Sequence, residues 1–236
     1  MERPPGKRGR EWDGEGDGWA GDSESDAELP REKGADCGEK AKGKLRPPQK
    51  EKDSEELLRE AERSHSTREG TEVEGRMVVW TDGAAAQRRD EQPVASGGVF
   101  YAEGDRRNRS VPVVGQQTSQ RAELIAALSV LEEELGPLEL RTDSTYLAAG
   151  LTCWSRRWVR RALYKSPAWA RPISNADIWH RILQMISLRE SAVKVRWVKA
   201  HPTRDDVEEG RTTMLDVWGN ARADWWAKQG IEKARA

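Results

Sequence analysis

The amino-acid sequence predicts an α/β domain with a five-stranded mixed sheet flanked by helices. Three observations carry that expectation. Short apolar runs closed by turn residues recur five times after about residue 75. Helical periodicities separate the later runs. The resulting order, three strands and then helices alternating with strands, is that of a mixed sheet covered by helices, with the first three strands antiparallel in succession.

The elements follow in order. MVVWTDG, from Met77, reads as a strand ending at Asp82. SGGVFY (Ser96–Tyr101) and SVPVV (Ser110–Val114) read as two more, and Pro112 marks the latter as an edge because proline cannot donate to a ladder. TSQRAELIAALSVLEEEL (Thr118–Leu135) is a helix: Leu124, Leu128, Leu131 and Leu135 recur at helical spacing, Thr118 or Ser119 can cap it, and Gly136-Pro137 stops it. LELRTD (Leu138–Asp143) is a fourth strand, followed by a helix from near Ser144. Asp177–Leu188 is amphipathic through Ile178, Ile182, Met185 and Ile186. VKVRWV (Val193–Val198) is the fifth strand, and Asp216–Gly230 is a last helix that Gly230 should end.

Composition divides the chain at about residue 74. Hydrophobic content of 36% and charged content of 34% are too polar for one core over all 236 residues. Residues 1–75 hold 15 of the 40 Lys and Arg but 21 of the 41 Asp and Glu, so an acidic segment precedes a basic one suited to nucleic acid. Residues 1–74 read as a disordered, low-complexity acidic tail, dispensable for folding. Its exceptions are Trp12, Trp19 and EELLREA (Glu55–Ala61), a short marginal helix. Ordering such a segment costs about 1–2 kcal/mol per residue in backbone entropy, with little apolar burial in return. Cys37 and Cys153 make no disulfide framework, and a reducing, intracellular setting is the simpler reading, nucleus or cytoplasm being left open. No apolar run is long enough for a membrane span or a secretory signal.

Three carboxylates stand out by position. Asp82 and Asp143 end two strands; if those strands are parallel neighbours, both acids reach the carboxyl end of the sheet, where α/β sites form. Glu123 lies early in the intervening helix. Asp224 follows on the last helix, on the same face as Asn220. Each alone reads as a cap or turn residue. Together they would repel and raise one another's pKa unless a cation balanced them, and a hard, oxygen-seeking ion such as Mg²⁺ suits. Two such ions can clamp the attacking and leaving oxygens of a phosphodiester.

WTDGA, TSQRAELIAAL, LRTDSTYL, WVKAH and GNARADWWAK resemble, in order, the motifs of ribonuclease H type 1, over about Met77 to Gly230. TDG alone is weak; the order and spacing are specific. The resemblance implies the ribonuclease H-like fold, in a domain over 75–232, and hydrolysis of the RNA strand of RNA–DNA hybrids, leaving a 5′-phosphate and a 3′-hydroxyl. It implies that Asp82, Glu123, Asp143 and Asp224 bind two Mg²⁺ ions, which Mn²⁺ could replace, and that His201 assists turnover from a loop. It makes Thr118 a phosphate contact, and Ser119 and Gln120 groove contacts, their other role being capping. Asn175 and Asp177, at the start of a matched helix, are caps or substrate contacts. RNA would be told from DNA by its 2′-hydroxyls.

WSRRWVRRALYKSPAWARPISNADIWHR (Trp154–Arg181) resembles the family's basic protrusion and the helix after it. One-sided charge with interleaved aromatics suits phosphates, so Arg156, Arg157, Arg160 and Arg161 are expected to touch the backbone, whereas Trp154 and Trp158 are expected to pack. Departures from the pattern are the turn TDGAAAQRRDEQPVASGG, which lacks a counterpart of the family's Asn contact, and the longer loop TRDDVEEGRTTMLDVW after His201. The absence of a preceding hybrid-binding domain is a third. The long loop and the WGNARAD form look like ribonuclease H domains of retroelement origin, so a monomer taken from, or part of, a larger polyprotein is expected. The rival readings are a catalytically decayed nucleic-acid-binding module and another nuclease on the same fold.

Overall fold

The computed structural model describes residues 48–65, 72–87, 92–155 and 173–236. The chain divides into Met1–Lys44 and Leu45–Ala236, and all described residues belong to the second unit. Its elements are α1 (Pro48–Ser64), β1 (Glu72–Val73), β2 (Arg76–Ala86), β3 (Val94–Phe100), β4 (Arg109–Pro112), α2 (Ser119–Glu133) and β5 (Leu138–Thr142). Next come α3 (Thr145–Ala149), which runs into a π-turn at Gly150–Trp154, and α4 (Ala176–Leu188), β6 (Val193–Trp197), α5 (Arg204–Glu208) and α6 (Met214–Arg235).

The sheet order is β4-β3-β2-β5-β6, with β1 added beside β2. β2 pairs antiparallel with β3, and β3 with β4. β2 and β5, and β5 and β6, are parallel. All five expected strands are present and the Pro112 strand is an edge; the two-residue β1 is the addition.

Alternation along β2 divides the core into two layers. Val79 joins Leu140, Leu124, Leu128, Leu131, Trp179 and Ile182 beneath α2 and α4. Val78 and Trp80 point the other way, toward Phe100, Val217, Trp218 and Ala223. Close approach of the helices needs glycine. A Cβ at Gly83 would overlap the backbone nitrogen of Glu123, and one at Gly98 the carbonyl of Ala223. These two positions let α2 and α6 press onto β2 and β3 from opposite faces.

Two expectations are corrected. The last helix does not end at Gly230 but continues to Arg235. Gly230 is a contact glycine, because a Cβ there would strike the Ser96 side chain. Second, the span read as a tail contains α1, a 17-residue helix far longer than the EELLREA patch. Leu57 and Ala61 are fully buried against the Trp80–Phe100–Trp218 layer, and His65 stacks on Trp218. The apolar partners that offset the ordering cost of α1 come from α6 and the sheet, remote in sequence.

Candidate active site

The parallel register pairs Trp80 with Arg141. Asp82 and Asp143 each lie two residues further on, side by side on the α6 face; β5 ends just before Asp143, but β2 does not end at Asp82, as the sequence suggested, and runs on beside β3 to Ala86. Asp82 Oδ1 accepts the Gly83 amide at 2.7 Å. Asp143 Oδ2 accepts from Asn220 Nδ2 at 3.0 Å, and its carbonyl accepts from Trp197 Nε1 at 3.0 Å. Ser144 caps α3 by accepting from the Leu147 amide at 3.1 Å, and its hydroxyl donates to Glu123 Oε2. Asp224, one helical turn after Asn220, accepts from Lys228 Nζ at 2.6 Å.

Asp82, Asp143, Asn220, Asp224, His201 and Pro202 line one cleft of about 230 Å³. Glu123 stands outside that lining, but its charge is felt by Asp82. The electrostatics record the crowding. Burial first, then the Asp143 charge, push the Asp82 carboxyl up to about 7, with Asp224 and Glu123 adding and the Gly83 amide opposing. Burial likewise lifts Glu123 to about 7, with the Ser144 hydrogen bond opposing and Asp143 adding.

His201 is exposed and has φ of 47°, left-handed for a non-glycine residue. Its extended loop is built around Asp206, which is fully buried. Asp206 accepts from Lys199 Nζ at 2.6 Å, from Arg211 Nε at 2.8 Å, and from the Thr203 amide and hydroxyl, each at 2.8 Å. The Lys199 bond foremost, with the Thr203 amide, holds its carboxyl far below the usual range. The acidic insertion thus folds on itself and leaves His201 beside the carboxylates.

Residues 74–232 match the RNase H family. The chain belongs to this family. It is 31% identical over 193 residues to the ribonuclease H of Schizosaccharomyces pombe, covering 76% of this chain and 67% of that protein. To the ribonuclease H of Nitrosococcus oceani it is 33% identical over 155 residues, 65% of this chain and 92% of the relative. The solution structure of the PFV (prototype foamy virus) RNase H domain superposes with a TM-score of 0.52 and 25% identity, over 66% of this chain and 94% of that domain. The chain is therefore a ribonuclease H enzyme, and α1 precedes the residues that the family accounts for.

The ribonuclease H site fits a hard cation. Its four carboxylates offer oxygen donors, and two of them are raised to about 7, with no Lys or Arg among the described residues opposing the shift. The buried Asn220 Oδ1 has no hydrogen-bond partner. Among the described residues no three acidic, histidine or cysteine side chains are gathered closely enough to hold an ion as they stand. Glu123 is turned to Ser144 and Asp224 to Lys228.

The expected nucleic-acid contacts divide. Thr118 caps α2, accepting from the Arg121 amide at 3.2 Å, and Ser119 and Gln120 are exposed beside it. Asn175 makes no capping bond; its Oδ1 accepts from Arg121 Nη1 at 3.2 Å, and Arg121 pairs with Asp177 at 2.6 Å. This second cluster joins the starts of α2 and α4 and does not line the carboxylate cleft. Arg156, Arg157, Arg160, Arg161 and Trp158 lie outside the described residues. Trp154 is half-buried against Tyr146, and Trp179 is buried, donating to the Tyr146 hydroxyl at 2.9 Å. Sequence reasoning missed Asn220 and Ser144 as carboxylate partners. It also missed Ser54, Glu55 and Leu58 of α1, which line the same cleft.

Proposed function

We propose that the chain is an endonuclease that hydrolyses the RNA strand of RNA–DNA hybrids by a two-metal mechanism. The observation that carries the reading is the gathering of Asp82, Asp143, Asp224 and His201 on one cleft, with the Glu123 charge acting on it. These four carboxylates would hold Mg²⁺, with Mn²⁺ as a substitute. When bound, the ions supply Lewis-acid stabilisation of the phosphate and a more acidic water. Asn220 orients Asp143, and Ser144 holds Glu123 until its carboxylate is needed. His201, exposed at the cleft edge, can carry a proton to or from the departing oxygen. Thr118, Ser119, Gln120 and Asn175 would grip the duplex away from the cleft, and the arginines at 156, 157, 160 and 161 would add phosphate contacts.

The enzyme acts as a monomer within the cell in this reading. The likeness to the foamy virus domain supports a retroelement-like origin, within or from a larger polyprotein. The test is cleavage of end-labelled, sequence-matched hybrid, duplex RNA and duplex DNA with added Mg²⁺, by the native protein and by Asp143→Asn. Hybrid-specific cutting that Asp143→Asn abolishes while still binding hybrid is expected. Cutting of all three duplexes, or undiminished cutting by the variant, would overturn the assignment.

A further inference from the structure

Helix α1 lies before the family-matched residues, yet it forms one side of the catalytic cleft. Ser54, Glu55 and Leu58 line the cleft together with Asp82, Asp143, His201 and Asp224. The placement is anchored. Leu57 and Ala61, on the neighbouring stripe of the helix, are fully buried in the layer formed by Val78, Trp80, Phe100 and Trp218. Glu60 pairs with Arg204 at 2.9 Å, on the segment that carries His201. Glu55 itself is well exposed, and its contact with Arg59 at 3.6 Å is a solvated i, i+4 pair. Its charge thus stands on the lining of a cleft that, in the proposed function, admits a polyanion.

We propose that α1 is a wall of the nucleic-acid cleft and that Glu55 on it opposes the substrate's phosphate backbone, setting the affinity for the duplex. The proposal rests on the hybrid-nuclease reading for the nature of the substrate. The α1 residues line the same cleft of about 230 Å³ as Asp82 and Asp143. A strand whose phosphate reaches Asp82 and Asp143 therefore carries a neighbouring phosphate past the α1 wall. Two like charges ~7 Å apart in water-like surroundings repel by roughly the thermal energy, which is about threefold in a binding constant at low salt. Salt shortens the reach of that repulsion to about 8 Å at physiological strength and less above it. Arg59 acts in the same direction once Glu55 is neutralised, because its positive charge is then uncompensated.

The experiment measures hybrid binding by fluorescence anisotropy on the full chain carrying Asp143→Asn, which needs no cleavage. Adding Glu55→Gln should tighten binding about threefold at low salt, and the gain should vanish near ~0.5 M salt, where the screening length has shrunk well below the charge separation. Glu62→Gln, an equal charge change on the exposed part of α1 away from the cleft, should leave affinity unchanged. Leu57→Ala removes the anchor, so in that background Glu55→Gln should lose its effect. Equal effects of Glu55→Gln and Glu62→Gln would reduce the observation to net charge and overturn the proposal. So would no change with Glu55→Gln, even if Leu57→Ala proves unable to fold. Because duplex RNA and duplex DNA carry the same backbone charge, running them in parallel separates the two readings. A Glu55→Gln gain on all three duplexes without hybrid-specific cutting would sustain the wall and refute the substrate.

Discussion

Replacing Asp82 by Asn should stabilise the cation-free protein while destroying its activity. Asp82 titrates at about 7 rather than 3.8, a shift of about 3 units, or on the order of 4 kcal/mol between its two protonation states. The folded protein holds this proton more tightly than the unfolded chain. The Asp82 contribution to stability is therefore fully present below about pH 4, falls as pH rises toward 7, and then levels off. Glu123, also near 7, adds to the same window. The acids shifted the other way, Asp105, Glu139, Asp177 and Asp206, change stability only below about pH 4.5 and leave the window clear. An amide at position 82 removes the charge but still needs its own hydrogen bonds, at a cost of about 1–3 kcal/mol. A net gain of about 1–3 kcal/mol at pH 8 is expected, or roughly 3–10 °C in Tm for a domain of this size. The assay is thermal unfolding by circular dichroism with a chelator, from pH 5 to pH 8. The native protein should melt lower as pH rises, and Asp82→Asn should flatten the curve. Mg²⁺ should raise the Tm of the native protein more at pH 8 than at pH 5.5, because protons compete for its ligands. A native Tm that rises across this window, or an Asp82→Asn protein less stable than native at pH 8 with chelator, would refute the crowding argument.

Other outcomes follow from the same geometry. His201→Ala should lower the cleavage rate by about 10–10³-fold in single-turnover and steady-state assays, less than Asp143→Asn, since general acid–base contributions run to about 10²–10⁴-fold; an effect as complete as that of Asp143→Asn would make it a ligand or a structural residue. A protein beginning at Gly75 lacks the buried Leu57 and Ala61 and uncovers Trp218, so it should unfold about 2–5 kcal/mol more easily in a urea titration; unchanged stability would show that α1 contributes nothing to the fold. Replacing Arg156, Arg157, Arg160 and Arg161 by Gln should weaken hybrid binding and flatten its salt dependence by about 0.9 in log–log slope for each phosphate no longer neutralised; parallel salt lines of equal affinity would mean that these arginines only solvate the chain.

The strands and the carboxylates were legible because both depend on local pattern. A period of two in MVVWTDG puts Val78, Trp80 and Asp82 on one face whatever the partners are, and the matched LELRTD run does the same for Arg141 and Asp143. What was not legible depends on distant partners. EELLREA has too few apolar residues to hold a helix alone, and only Trp80, Phe100 and Trp218 make Leu57 and Ala61 into an anchor. Gly230 has the composition of a helix stop, and only the Ser96 side chain beneath it shows why glycine stands inside the helix. The sequence shows the insertion after His201 only as a longer loop, yet its Asp206 is buried and gathers Lys199, Thr203 and Arg211. Charge in a sequence does not say which acid turns inward.

The distribution of basic partners explains why the cleft, and not the rest of its face, calls for a cation. The α6 face of β5 and β6 carries a second acidic group only a few residues from the site. There, buried Glu139 is met by Arg141 at 2.8 Å and Lys194 at 3.1 Å, and buried Asp216 by Arg141 at 2.8 Å and Arg196 at 3.3 Å. A buried acid removed from water is tolerable when a cation faces it and its remaining lone pairs are bonded. Arg141 stands two residues before Asp143, yet its guanidinium is committed to Glu139 and Asp216 and lies over the Trp80 ring at 5.3 Å. Among the described residues, no Lys or Arg forms an ion pair with Asp82, Glu123 or Asp143, and Asp224 has only the solvent-exposed Lys228. The fold neutralises its structural acids with its own side chains and, among the described residues, leaves Asp82, Glu123 and Asp143 uncompensated. A protein side chain placed there would occupy the position that, in the proposed function, a metal ion and a phosphate share.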